Sequence, residues 1–291
     1  NIALNSQAVM FQKRIGKVLL GSFHGAWSVG AAASAAVSGI IAAFTPLKLQ
    51  MFLMPVICLA LFTWAVRHML APSESDSVDK DVPAERISWL KTPSFLWLLT
   101  AGAFMGMWPE LVLMDWSSVY GKEVLNLDPS RAAWPYTIFV IAMIVGRFSI
   151  ARLTETYNVA RLSQVGGIFG SIALALAVFT SATLADVNRD LGLLLLCVFF
   201  AIAGLGISSM VPGFFSAAGN VEGLSTAQAL SRMLLVNTII VIFAKMLMGS
   251  LIDASSLPLA MIFPIATFAI AGVIAGIVAN KHKDIKLNPE I

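Results

Sequence analysis

The sequence predicts an all-α integral membrane bundle, and three observations carry that prediction. Of 291 residues, 58% are hydrophobic and only 12% charged, whereas a soluble domain carries about 25% charged residues. The apolar residues are gathered into runs of membrane-spanning length, roughly 18–25 residues each. The basic residues between those runs alternate in number from one side to the other, as the positive-inside rule requires. Too few charges remain to coat a water-facing surface, so a soluble enzyme is excluded. A net charge of +3 gives no basis for nucleic-acid binding.

Eight spans follow in order, at about 21–44, 50–70, 94–120, 132–151, 162–181, 190–212, 227–250 and 257–279. Residues 1–12 read as the end of an earlier helix. Asn1 starts in mid-pattern without an initiator Met, so the chain reads as the N-terminally truncated continuation of a longer protein. Helices are expected throughout because lipid offers no partner for an unpaired backbone amide or carbonyl.

The longest polar stretch, APSESDSVDKDVPAERISWLKT at 71–92, reads as a solvated linker with two spans before it and six after. The expected division is a remnant of an N-terminal six-helix half at 1–70, a cytoplasmic linker at 71–93, a C-terminal six-helix half at 94–280 and a cytoplasmic tail at 281–291. About eight of twelve spans would then be present. With the segment before the first full span placed in the cytoplasm, fourteen of the 19 Lys and Arg residues fall on the cytoplasmic side. Lys48, Lys122, Arg131 and Arg189 fall opposite, and Lys245 lies inside a span.

Twelve spans split evenly by a charged cytoplasmic linker resemble the major facilitator superfamily. Gly146 and Arg147 followed by Arg152, Glu155, Asn158 and Arg161 resemble the weaker, second-half copy of its cytoplasmic loop motif, G-x-x-x-D-R-x-G-R. Here Ala151 and Asn158 stand in for the two glycines and Thr156 for a basic residue. Asn is the non-glycine residue that best tolerates a left-handed turn. Four further segments are similar to a bacterial branch related to fucose-type sugar–proton symporters. They are Asn5-x-Gln7, His24-Gly25-x-Trp27-Ser28-x-Gly30, Glu110 with Asp115-Trp116-Ser117 and Tyr120, and Gly204-x-Gly206 with Pro212 and Phe215 to Gly219. The resemblance implies transport by alternating access without naming a solute.

Charges inside a span are costly and mark function. Glu110, Asp115 and Lys245 qualify. Glu110 and Lys245 lie about 16 and 18 residues into spans that begin on one side, roughly 24 and 27 Å deep at 1.5 Å per residue. The equal depth predicts a Glu110–Lys245 ion pair, with Asp115 as the competing partner. Two acids and one base would leave one carboxylate uncompensated and able to exchange a proton. The acids are five positions apart, about 140° around an ideal helix, so one cavity receives both only if Pro109 distorts the helix.

Asn5, Gln7 and Asn237 are candidates to hydrogen-bond a hydroxylated solute, with an interhelical bond as the alternative for Asn237. Trp108, with Trp116, Trp134 and Tyr136, could stack on a sugar-like ring, and Trp116 and Trp134 serve equally as interfacial anchors. His24 reads as structural. The Gly102–Gly106, Gly166–Gly170 and Gly272–Gly276 pairs are small-residue packing faces, and Pro55, Pro109, Pro212 and Pro264 interrupt spans.

The expected function is secondary transport of a small sugar-like solute, coupled to a proton, in a bacterial inner membrane, by a protein that works as a monomer when full length. Proton-driven efflux of drugs or metabolites and a non-transporting receptor are the alternatives. No H-E-x-x-H, G-x-S-x-G or Walker sequence occurs, so neither an enzyme nor an ATP-driven pump is expected. Neither a cofactor nor a metal is expected, since Cys58, Cys197 and the three histidines show no ligand spacing.

Overall fold

The computed structural model describes residues 2–42, 45–69 and 88–281, and among them every regular element is helical. The long helices are α1 (Ile2–Ile15), α2 (Leu20–Ala42), α3 (Leu47–Val66), α4 (Ser94–Glu123), α5 (Trp134–Leu153) and α6 (Val159–Leu184). They continue with α7 (Arg189–Ile207), α8 (Met210–Ala218), α9 (Thr226–Ala254) and α10 (Ile262–Lys281). Single turns at Pro129–Ala132 and Leu257–Ala260 lead into α5 and α10. Residue 70, residues 71–87 of the expected linker and 282–291 of the expected tail lie outside the described residues. Residues 88–93 hold one 3-10 turn, Trp89–Lys91.

Among the described residues, seven spans are long and apolar enough to cross a membrane. The eighth expected span is α2, whose 23 residues reach about 34 Å at the helical rise. The expected span at 190–212 is two helices. Pro212 lacks an amide hydrogen and its ring crowds the carbonyl four residues back, and the chain breaks at Ser208 and Ser209 before resuming as α8. Pro264 has the same relation to the break at Met261. Pro55 and Pro109 lie inside continuous helices, so neither interrupts its span.

Polar side chains at the ends satisfy the first backbone amides, which a helix leaves unpaired. Ser225 and Gln228 form a reciprocal capping box at α9. Asn188 caps α7. Asn158 caps α6, accepting from the Ala160 amide at 2.8 Å with φ −66°. The position therefore does not use the left-handed turn expected of it. Gly16, at φ +69°, terminates α1 in the left-handed conformation that glycine adopts at little cost.

The helices are apolar on both faces, which a soluble bundle avoids and lipid rewards. In α6 the buried face is rich in small residues, Gly167, Gly170, Ala173 and Ala177, set beside Leu174 and Val178. Its exposed face is large, with Val165, Phe169, Ile172 and Leu176 spaced by three or four. The small face lets neighbours close in. A Cβ on Gly166 would collide with the Gly206 carbonyl of α7, and one on Gly167 with Gly272 of α10. The expected glycine faces at 166–170 and 272–276 thus hold α6 between α7 and α10.

α4 lies against α8, α9 and α10, and α2 runs along α5. Polar links tie α1 and α2 to the later helices at one end of the bundle. Gln12 Nε2 donates to Ser216 Oγ at 2.6 Å, while its Oε1 accepts from the amides of Leu19 and Leu20. Lys13 Nζ donates to Thr226 Oγ1 at 2.8 Å.

Candidate functional site

The acids expected inside a span both lie on α4, and each faces its own base. Lys245 Nζ on α9 is 2.6 Å from Asp115 Oδ2. Glu110 Oε2 is 3.0 Å from Arg147 NH2 on α5. The expected Glu110–Lys245 pair is therefore corrected: Lys245 takes the competing acid, and Glu110 takes a base that the sequence reading had assigned to a loop motif. The reason is rotational. Five residues turn a helix by about 140° beyond a full circuit, so Glu110 and Asp115 leave α4 toward different neighbours. α4 stays helical through Pro109, so no distortion brings the two acids together.

The two pairs differ in environment. Arg147 is 3% exposed and Glu110 18%, whereas Asp115 is 34% and Lys245 44% exposed. Arg147 carries more than the ion pair. Its NH1 donates to Ser28 Oγ on α2 at 2.6 Å, and the Ser28 hydroxyl donates to the His24 carbonyl at 2.9 Å. The His24 ring meets Phe215 of α8 edge-on, with centroids 6.1 Å apart. With Arg147 counted, two bases answer two acids, so the expected uncompensated carboxylate is not present in this arrangement.

The other candidates do not converge on these pairs. Trp108 is 1% exposed and packs between Phe104 and Phe263. Asn237 is 2% exposed, and neither of its amide atoms has a hydrogen-bond partner among the described residues. Asn5 and Gln7 are half-buried on α1. Tyr120 ties α4 to α6, donating to the Val178 carbonyl at 2.5 Å beside Ser181 Oγ at 3.0 Å. Trp116 packs against the core and Trp134 is exposed.

The loop motif divides in two. Gly146 and Arg147 are buried within α5, and a Cβ on Gly146 would strike the Ser208 side chain. Arg152 and Glu155, with Lys17 and Arg161, line a cavity of about 920 Å³ floored by Ser163 and Ser216. That cavity sits at the end of the bundle where α1 meets α2, and neither ion pair lines it. No cluster of metal-ligating side chains occurs among the described residues.

Sequence reasoning missed Arg147, Ser28 and His24 as a unit. The available signal was that Arg147 lies about six residues before the end of its helix, or roughly 9 Å deep, too deep for a loop residue.

Comparison with known proteins bears on the whole chain. The sequence model of the Major Facilitator Superfamily matches residues 3–221. An uncharacterized MFS-type transporter of Yersinia pestis is 23% identical over 260 residues, covering 89% of this chain and 64% of the relative. An uncharacterized transporter of Sinorhizobium fredii is 26% identical, covering 96% of this chain and 68% of the relative. The membrane protein MosC of Rhizobium meliloti is 22% identical, covering 97% of this chain and 65% of the relative. The chain thus spans about two thirds of the length of these relatives.

Proposed function

Because the chain belongs to the major facilitator superfamily, we propose that it serves as a secondary active transporter, moving a small hydroxylated, sugar-like solute by alternating access and drawing on a proton gradient. It is a multi-pass membrane protein, and the bacterial relatives support placement in a bacterial inner membrane; in this reading the full-length protein works as a monomer. In this reading α1 to α3 belong to an N-terminal half and residues 94–280 form the C-terminal half. The charged segment between them is cytoplasmic.

The observation that carries the proposal is the half-exposed Asp115–Lys245 pair, set deep within two apolar helices. Facing acyl chains, it would be costly. Facing a watery path, it costs little and presents a donor and an acceptor to a passing solute. The fucose-type resemblance of Glu110, Asp115 and Asn5-x-Gln7 supports a hydroxylated solute. Coupling requires the proton to bind two conformations differently. A proton on Glu110 or Asp115 would cancel the charge that holds its base.

The test is uptake by the full-length protein in vesicles, with and without a pH gradient, across sugars and drugs. Inward accumulation of a sugar that collapses with the gradient is expected. Asp115→Asn or Glu110→Gln is expected to abolish the gradient dependence. Gradient dependence unchanged in both variants would reject proton coupling through these acids, and gradient-dependent export of a drug without sugar uptake would replace sugar uptake as the function.

A further inference from the structure

Three bases and one acid border a single cavity, and none of the four is paired. Lys17, Arg152, Arg161 and Glu155 line the space of about 920 Å³ at the end of the bundle where α1 meets α2. None has an ion-pair partner among the described residues, whereas Arg131, Arg147 and Lys245 each meet a carboxylate. Each base reaches the rim by its own route. Lys17 follows Gly16 in a turn that Gln12 holds by accepting the Leu19 and Leu20 amides at 3.1 Å. Arg152 lies in the last turn of α5, where the negative helix terminus favours a cation. Arg161 lies in the first turn of α6, where the positive terminus disfavours a cation and where no acid compensates it. Its guanidinium is held instead by two neutral acceptors, Gln164 Oε1 and Asn280 Oδ1. These fix its place and leave its charge whole. The rim bases are exposed, and the floor hydroxyls of Ser163 and Ser216 are buried.

We propose that this cavity is a binding site for a phosphoryl group presented from the cytoplasm. On a convex surface the three bases would be screened one by one. Around a concavity with low-dielectric walls their fields add. Three positive charges and one negative leave a surplus that a phosphate monoester, at about −1.5 to −2 near pH 7, matches. A monocarboxylate would leave half of it unanswered. Two of the bases are arginines, whose planar fork sets parallel donors against two phosphate oxygens. The N-terminus of α6, a helix of 26 residues, borders the same cavity and adds its positive end. The space is of the size that holds a small organic ligand, about 300–1,000 Å³, so the phosphoryl group can carry a body toward the hydroxyls of the floor. An anion held here lies between the α1–α2 turn and the α5–α6 turn, and its binding ties the two together. Neither the Glu110 nor the Asp115 pair borders the cavity, so the site is separate from the one proposed for transport. The inference rests on the transport reading only in taking this end of the bundle as the cytoplasmic one. The phosphoryl group arrives on a soluble ester or on a lipid headgroup, and the two sources are separable by experiment.

The probes are inorganic phosphate and phosphatidic acid. The full-length protein in a neutral detergent is unfolded by heat across a phosphate titration at neutral pH, with chloride at matched ionic strength as the reference. The same protein is unfolded in phosphatidylcholine nanodiscs with and without phosphatidic acid. A saturable rise in melting temperature is expected, since a ligand that binds only the folded protein stabilises it. Arg161→Gln and Arg152→Gln are expected to raise the apparent Kd about ten- to a hundredfold, the effect of losing a hydrogen bond to a charged group. Glu155→Gln is expected to lower it, because a like charge leaves the site. A structural role for these side chains would not give that sign. Lys122→Gln, outside the cavity, is expected to leave it unchanged. A rise with phosphate that follows this pattern supports the proposal with a soluble ester as the source. A rise with phosphatidic acid alone, following the same pattern, supports it with a lipid as the source. No rise with either probe, or a rise that every variant shares with the parent, overturns it. Should Arg161→Gln fail to fold once Gln164 and Asn280 lose their donor, Lys17→Gln and Glu155→Gln remain, since neither side chain holds a bond among the described residues. Opposite shifts of Kd in these two support the proposal, and equal shifts overturn it. No transported solute enters these measurements. A protein that fails every uptake assay still answers them, so failure of the transport reading and failure of the anion site are told apart.

Discussion

Lys245 Nζ lies 2.6 Å from Asp115 Oδ2, joining α9 to α4 through a pair that remains a third to a half exposed. Glu110, five residues earlier on α4, is turned to a different helix and a different base. This separation sets the consequences of removing each charge.

For the exposed pair, Lys245→Met is expected to lower the melting temperature by leaving Asp115 without its base. Asp115→Asn in the same chain is expected to recover part of the loss. A double-mutant cycle should give a coupling of about 0.5–3 kcal/mol, the range for residues in direct contact. Additive effects would mean that the contact does not form in the membrane.

For the buried pair, Arg147→Ala is expected to cost about 3–5 kcal/mol, because it strands a carboxylate in a low-dielectric interior. Combining it with Glu110→Gln removes the stranded charge and should return most of the stability. Thermal unfolding in detergent compares the three variants. An Arg147→Ala protein that melts with the parent would dispose of the pair.

Packing at α6 gives a third test. Gly166→Val and Gly206→Val each drive a side chain into the facing backbone carbonyl, and overpacking of this kind costs about 1–3 kcal/mol or more. Gly249→Ala, with open space around it, is the control. It is expected to be neutral or to stabilise by about 0.5–1 kcal/mol through helix propensity. Equal effects at all three positions would contradict the close approach of α6 and α7.

A fourth concerns pH at the turn before α5. The Ser130 hydroxyl and the backbone amide of Arg131 bond to the Asp128 carboxylate and hold its pKa below the ordinary value. A depressed folded pKa adds stability above the unfolded pKa of about 3.9, and that stability is lost as pH falls through the folded value. Amide-exchange protection at residues 130–133, taken relative to the intrinsic rate at each pH, should fall on acidification in the parent and show no such step in Asp128→Asn.

The comparison of expectation with structure has a physical pattern. Span type and seven of the eight expected spans were legible because they depend on composition and length alone, and bilayer thickness sets both. The paired glycines were legible as packing faces, though not which helices they would join. The ion pairs were misread because depth along a helix can be counted from sequence while rotation between helices cannot. Equal depth suggested Glu110 for Lys245, and the angular setting of α4 gave it Asp115. Arg147 was misread for a related reason, since its position beside a basic loop resembled a loop motif while its side chain turned inward.

The amino-acid order by itself determined that this chain is a set of apolar helices threading a bilayer, with a few charges that lipid would not tolerate on its own. Hydrophobic transfer and backbone hydrogen bonding decide that locally, residue by residue. Only the tertiary structure decided which acid meets which base, and that Ser28 shares a guanidinium with Glu110. Those pairings depend on how each helix is rotated about its axis, and packing among α2, α4, α5 and α9 sets that rotation.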